Sequence, residues 1–126
     1  MNKNITDIQC VNDDCLLCKN SKGNYCITDF DYNDLFDSNV SVMNDDICSV
    51  SKGGIYFAVA RNKNIMVIDT KINQKVEIQL DNDIFTVCFV NDISLFYSEM
   101  SNIDDINSNY TLYIYDLKLS QRKFLN

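Results

Sequence analysis

The feature that most constrains the fold of this chain is a pattern that recurs three times. Short runs rich in Ile, Val, Tyr and Phe alternate with clusters of Asn, Asp, Ser, Gly and Lys. Each unit ends one such run with an aspartate, at Asp29, Asp69 and Asp116. The interval is 40 residues from Asp29 to Asp69 and 47 from Asp69 to Asp116, where residues 101–109 form an acidic insert. Runs of this length and composition predict β-strands joined by turns.

A repeat of about 40–45 residues with four strands per unit is typical of a propeller blade. We therefore predict an all-β fold in which residues 1–126 form a single domain of three four-stranded antiparallel propeller-like blades, at about 1–45, 46–82 and 83–126. Fourth strands are predicted at 38–43, 75–80 and 123–125, after one irregular turn at 33–37. The alternative is a meander or sandwich whose strand spacing is coincidental.

The three aspartates follow strands, where a carboxylate can accept backbone hydrogen bonds from the next turn. We predict that Asp29, Asp69 and Asp116 are structural turn residues and not catalytic acids. Arg61, Lys63 and Lys71 are the candidates for contact with a partner, in a chain with only 11 lysines and arginines.

Six cysteines raise the question of a metal site or a disulfide framework. Four of them lie close together in the sequence and resemble a zinc-binding cluster. However, Cys15 and Cys18 fall in a predicted strand, where positions three apart point to opposite faces. We therefore expect buried thiols, with no metal and no cofactor. The cysteines are Cys10, Cys15, Cys18, Cys26, Cys48 and Cys88.

The composition argues against several classes of function. The net charge of −7 disfavours nucleic-acid binding, and the absence of histidine removes the usual general base. We therefore expect a protein that is not an enzyme. No apolar stretch approaches the ~18 residues of a membrane helix, and no secretory signal is visible, so the expected location is the cytoplasm.

Charged and glycine-rich pairs offer weaker chemical signals. The carboxylate pairs at 13–14, 45–46 and 104–105 are expected to be solvated charge, since no six-to-eight-oxygen calcium cage is spelled out around them. Residues 52–54, Lys-Gly-Gly, are expected to connect two strands and not to bind an anion. Tyr56, Tyr97, Tyr113 and Tyr115 are expected to pack in the core and at strand edges and not to stack on bases.

The units resemble divergent WD-repeat blades. The segments IMVIDT at 65–70 and LYIYDL at 112–117 occupy the place of the strand that ends in Trp-Asp in that family. The chain has no tryptophan and no Gly-His pair. The resemblance therefore implies the fold without the hydrogen-bond network built on His, Ser, Trp and Asp.

Within that superfamily the order of features is similar to the amino-terminal half of the PROPPINs, the phosphoinositide-binding propellers of autophagy. The matching segments are CLLCKNSKG at 15–23, DYNDLF at 31–36, IDTK at 68–71 and LYIYD at 112–116. The lipid-binding Phe-Arg-Arg-Gly motif of that family lies in its later half. This chain has only Arg61 and Arg122, so membrane lipid would be a ligand only if further blades exist.

The resemblance implies a non-enzymatic interaction scaffold that binds other proteins. The alternative is a WD-repeat subunit of another assembly, such as a coat, a ubiquitin ligase or an RNA-processing complex; a small enzyme that uses carboxylates is a third class. Three blades fall short of the roughly four to eight that close a ring. We therefore expect a fragment of a longer propeller, a homodimer of six blades, or completion by another chain.

Overall fold

Three four-stranded antiparallel sheets make up the computed structural model, which describes residues 5–100 and 110–125. In each sheet the strands follow one another in chain order and each is hydrogen-bonded to the next. The first sheet contains β1 (Ile5–Cys10), β2 (Leu16–Asn20), β3 (Asn24–Thr28) and β4 (Asp34–Ser41). The second contains β5 (Ile47–Val50), β6 (Tyr56–Arg61), β7 (Asn64–Asp69) and β8 (Gln74–Gln79). The third contains β9 (Ile84–Phe89), β10 (Ser94–Met100), β11 (Tyr110–Asp116) and β12 (Gln121–Phe124).

This architecture confirms the predicted fold class, an all-β fold of three four-stranded antiparallel sheets. The described strands of each sheet fall within one of the three predicted ranges. The segment 101–109 that lengthens the third unit lies outside the described residues.

The prediction of an irregular turn at 33–37 is wrong, because β4 begins at Asp34. From residue 36 onward this strand alternates Phe36, Ser38 and Val40, which turn inward, with exposed polar residues. Its pairing with β3 contains two register shifts, and such bulges let a polar, irregular segment remain in a sheet. β8 and β12 also begin before their predicted positions, since their exposed residues hide the strand signal.

Two hydrophobic clusters join the sheets, one on each face of the second sheet. On β6, Phe57 and Val59 pack toward the first sheet, whereas Ala58 and Ala60 pack toward the third. A strand covered on both faces needs apolar residues at every position, which explains the continuous apolar run at 56–60. The predicted tyrosine packing is confirmed: Tyr97 is fully buried, and the other three pack against the same cluster as Tyr97.

The cysteines differ in burial, and the prediction that Cys15 shares a strand with Cys18 is wrong, because β2 begins at Leu16. Cys15 packs in the cluster between the first and second sheets, whereas Cys18 lies opposite Cys26 across the β2–β3 pair. These three are buried as expected, but Cys10 and Cys88 are exposed, which corrects the expectation of buried thiols. All six cysteines fall within the described residues, and none is joined in a disulfide.

Candidate functional site

The three sheets present their connections at two opposite ends. At the end that we call the hairpin rim lie the turns at 21–23 and 62–63 and the inter-sheet connections at 42–46 and 80–83. At the end that we call the aspartate rim lie the turns at 29–33, 70–73 and 117–120, with the loops at 11–15, 51–55 and 90–93. Backbone hydrogen bonds hold each rim together. On the hairpin rim Val42 N donates to Gly23 O and Leu80 N to Lys63 O, both at 2.8 Å.

The structure does not bring the three predicted partner-binding residues together. Arg61 and Lys63 lie at the hairpin rim, and Lys71 lies at the aspartate rim. Lys63 and Lys71 are exposed, but the guanidinium of Arg61 is engaged within the protein. Contact of these residues with a partner stays a prediction.

Asp46 is the centre of a polar network between the first and second sheets. Its Oδ1 accepts a hydrogen bond from Arg61 Nε at 2.8 Å, and its Oδ2 accepts one from Arg61 Nη2 at 3.1 Å. Oδ2 also accepts bonds from the Tyr25 hydroxyl at 2.7 Å and from Met43 N at 3.0 Å. Arg61 Nη2 also donates to the carbonyl of Ser41. The expectation of a solvated carboxylate is therefore wrong for Asp46, whose side chain is only 3% exposed.

Burial and hydrogen bonding shift the pKa values of this network in different directions. Burial by itself would raise the pKa of Asp46, but the bonds from Arg61 and Tyr25 outweigh it and hold that pKa below its usual value. Burial, followed by the neighbouring Cys48 and Asp46, raises the pKa of Tyr25. Burial also raises the pKa of Cys48 to about 11. At neutral pH the network is thus one ion pair beside a neutral phenol and a neutral thiol.

An open cavity of about 460 Å³ adjoins this network at the hairpin rim. Its wall includes Lys19, Tyr25, Asp45 and Cys48, together with Met43, whose side chain is 56% exposed. The polar groups of Tyr25 and Asp46 that reach this wall are already bonded to each other and to Arg61. The cavity therefore has a mixed polar and apolar lining.

The three aspartates of the repeat make one recurring hydrogen bond at the aspartate rim. Oδ1 of Asp29, Asp69 and Asp116 each accepts the backbone N–H two residues later, at 2.9, 3.0 and 2.9 Å. Asp29 also accepts the backbone and side-chain N–H groups of Asn33, which lower its pKa. The same local bond fixes the turn after the third strand in all three sheets.

The Lys-Gly-Gly segment connects two strands, as predicted, and its backbone also donates to a carboxylate of the same chain. It forms a short 3₁₀ turn between β5 and β6, and Gly53 N donates to both carboxylate oxygens of Asp14 at 3.1 Å. Asn12 bridges the same two sheets through Nδ2, which donates to the carbonyls of Val50 and Ser51. Asp14 is thus not simply solvated charge, and this contact has no local sequence signal because the partners lie 39 residues apart.

A second polar cluster, which was not predicted from the sequence, lies in the third sheet. The Tyr113 hydroxyl donates to Glu99 Oε1 at 3.0 Å, and Glu99 is a buried residue. Tyr97 and Tyr113 stack with centroids 5.2 Å apart. The guanidinium of Arg122 lies 4.6 Å from the Tyr113 ring centroid. The alternation of Tyr97 with Glu99 on one strand was the only sequence signal for this cluster.

Two further observations bear on ligands and membranes. In the part of the chain that the structure describes, no three His, Cys, Asp or Glu residues are grouped so as to hold a metal ion. No helix in the same residues combines the length and the apolar composition needed to cross a membrane.

These features define an all-β protein of propeller-like architecture, with polar networks that tie its sheets together. Comparison with solved structures leads to the same class. The crystal structure of the tricorn protease, which has propeller domains, matches 95% of this chain with a TM-score of 0.67 and 14% sequence identity. The chain spans only 13% of that protein, so the likeness concerns the fold alone. No family model matches the sequence, and no curated protein matches it.

Proposed function

We propose that this protein is a non-enzymatic interaction scaffold that binds other proteins. The observation that carries the proposal is the stack of three sheets, whose central member is covered on both faces. This stack holds two rims of turns in fixed positions. Loops held by a rigid scaffold are common sites of binding, and a propeller-like fold supports this general role.

The state of the buried carboxylates favours binding over catalysis. A carboxylate enzyme would need two acidic groups facing each other in a cleft. The charge of Asp46 is instead neutralised by the guanidinium of Arg61, and the carboxylate of Glu99 accepts a hydrogen bond from the Tyr113 hydroxyl. Both networks join elements of the fold, which is a structural use of charge.

The finer identity is part of the same proposal. The order of segments along the chain supports a relative of the autophagy PROPPINs, placed in the cytoplasm and without affinity for nucleic acid. The alternative is a WD-repeat subunit of a coat, a ubiquitin ligase or an RNA-processing complex. Both versions of the proposal include association of this chain with a second copy or with another propeller chain.

The proposal is tested by quantitative recovery of partners from the native cells. Tagged wild-type protein is compared with the variants Lys63→Glu and Lys71→Glu, with Lys123→Glu on β12 as the matched control. We expect at least one protein at near-stoichiometric yield from the wild type and the control, with a loss of several-fold in one rim variant. A protein that remains monomeric and recovers no partner in any form would overturn the scaffold function.

Phosphoinositide binding tests the expectation that this chain lacks the lipid-binding motif. Vesicles with and without phosphatidylinositol 3-phosphate are sedimented with the purified chain. We expect no sedimentation, because the described blades lack an Arg-Arg pair. Tight, phosphoinositide-dependent sedimentation would contradict our assignment of the lipid motif to other blades.

A further inference from the structure

The turns at the aspartate rim expose a large, mainly apolar side chain at the same sequence distance from the aspartate in all three sheets. Three residues after each aspartate stand Tyr32, Ile72 and Leu119, which are 43%, 61% and 65% exposed. Phe30 and Val90 are also exposed at this rim, whereas the hairpin rim exposes Met43 and Met100 among the described residues.

The turns themselves do not require these side chains. Their geometry is fixed by the aspartate bond to the residue two positions later and by a left-handed residue, Asn73 or Ser120, that follows the apolar one. A polar residue before Asn73 or Ser120 would satisfy the same geometry at no cost to the core. Single exposed apolar residues are common on protein surfaces, but their recurrence at one position of the two equivalent turns of the second and third sheets is not explained by folding. In the first sheet the turn differs, because Tyr32 itself has the left-handed backbone.

Charge distinguishes the second and third sheets from the first. Lys71 precedes Ile72 and Lys118 precedes Leu119, whereas Asp31 precedes Tyr32. The carboxylates of Asp69 and Asp116 accept backbone bonds in the same turns. Both lysines are exposed, and the structure shows no ion pair for either within residues 5–100 and 110–125. The chain as a whole has a net charge of −7, but each of these two turns exposes one lysine next to one aliphatic side chain.

The two turns belong to sheets that pack directly on each other. Leu117, one residue after Asp116, contacts the cluster that contains Ile65 and Val67 of β7. Backbone bonds from Thr70 to Ile55 and from Leu117 to Ile93, at 2.9 and 2.8 Å, hold each turn against the neighbouring loop of its sheet. The two Lys–aliphatic pairs are therefore presented by fixed backbone on one side of adjacent sheets.

We propose that the aspartate rim of the second and third sheets docks an acidic peptide segment of a partner protein. Aliphatic side chains of the segment cover Ile72 and Leu119, and its carboxylates pair with Lys71 and Lys118. The inference rests on the proposed scaffold function and names the class of partner. Apolar contact supplies the affinity, and charge complementarity supplies the selectivity and the rate of association.

The test is a selection from a displayed library of random 12-residue peptides on the immobilised full chain, followed by affinity measurement on synthetic peptides. We expect enrichment of sequences that combine Asp or Glu with Leu, Ile or Val. The variants Ile72→Ser and Leu119→Ser should each weaken binding about tenfold or more. Lys71→Glu with Lys118→Glu should weaken it further and reverse its salt dependence, since salt would then screen a repulsion. Met43→Ser, which is equally exposed at the opposite rim, should leave it unchanged.

The outcomes separate this inference from the proposed function. Enriched peptides that lack acidic or aliphatic residues, or that bind the Ile72 and Leu119 variants as tightly as the wild type, would overturn the docking site. If the native partners are still recovered in that case, the scaffold function stands. If the selection enriches no sequence and no partner is recovered from cells, both fail. Because the substituted side chains are exposed, circular dichroism should show that all variants retain the wild-type fold.

Discussion

The guanidinium of Arg61, at the end of β6, binds the carboxylate of Asp46 through two hydrogen bonds of 2.8 and 3.1 Å. Asp46 lies in the connection between the first and second sheets, so this ion pair fixes a link between sheets. The Asp46 side chain is 3% exposed and that of Arg61 is 28% exposed. The pair is therefore partly desolvated, and the loss of Arg61 leaves the Asp46 carboxylate with only the hydrogen bonds from Tyr25 and Met43 and no opposite charge.

We expect Arg61→Met to lower the free energy of unfolding by roughly 2–3 kcal/mol. Removal of one partner of a buried ion pair typically costs about 3–5 kcal/mol, and the partial exposure of Arg61 reduces this amount. Urea denaturation followed by circular dichroism measures the change. Lys63→Met, two residues away and exposed, should cost no more than about 0.5 kcal/mol. Equal stability of the two variants would show that the ion pair does not stabilise the fold.

The same pair predicts a loss of stability in acid. The pKa of Asp46 is held below its unfolded value of 3.8, so the stabilisation is fully present above about pH 4 and is lost as the pH falls through the folded pKa. The difference in unfolding free energy between wild type and Arg61→Met should therefore stay constant from neutral pH to about pH 5 and decrease below about pH 4. A difference that does not change down to pH 2 would contradict this assignment.

Two glycines with left-handed backbone, Gly54 at the aspartate rim and Gly23 at the hairpin rim, allow the cost of backbone strain to be separated from the cost of overpacking. Gly54 has φ +71°, and a Cβ there would lie 3.3 Å from Leu35 Cδ1 and 3.4 Å from Ile27 Cγ2. Gly23 has φ +82° with no atom within 4 Å of such a Cβ. We expect Gly23→Ala to cost about 1–2 kcal/mol from backbone strain, and Gly54→Ala to cost about 1 kcal/mol more from overpacking. The comparison uses thermal or urea unfolding, and a larger cost at Gly23 would contradict the packing around Gly54.

Thiol reactivity should follow burial and pKa. Burial, followed by the hydrogen bond to Asp14, raises the pKa of Cys15 to about 11, and burial raises that of Cys48 to about 11. Because the thiolate is the reactive form, iodoacetamide at pH 8 should modify the exposed Cys10 first, followed by Cys88, which is exposed but whose pKa is raised by burial. Peptide mass spectrometry resolves the six sites over time, and concentrated urea should make all of them reactive. Modification of Cys15 at the rate of Cys10 in the native protein would refute the burial of that thiol.

The strands that the sequence predicted well are those with continuous or alternating apolar residues. The run at 56–60 and the segments before Asp69 and Asp116 carry enough β-branched and aromatic residues to identify a strand locally. β4 was missed in its first half because Asp34 and Asp37 are exposed, Leu35 is 41% exposed and Phe36 is only half-buried. A strand with one solvated face and two bulges lacks a local signal.

The polar networks were beyond local prediction for a different reason. Asp46 and Arg61 are 15 residues apart, and Asp14 and Gly53 are 39 residues apart. Asp46 and its neighbour Asp45 look alike as a pair of carboxylates, but Asp45 is exposed with φ +67° and Asp46 is buried. Only the position of the second sheet relative to the first decides which carboxylate meets the guanidinium.

The sequence by itself determined the all-β fold, the number of repeating units and the place of the three aspartates, because strand alternation and turn chemistry act over a few residues. The tertiary structure decided which charges are neutralised inside the protein and which remain on a rim. It separated Lys71 from Arg61 and Lys63, and it placed Lys71 beside an exposed isoleucine in a turn that recurs in the next sheet. Such relationships depend on how whole sheets pack, since burial and ion pairing arise only where distant segments meet.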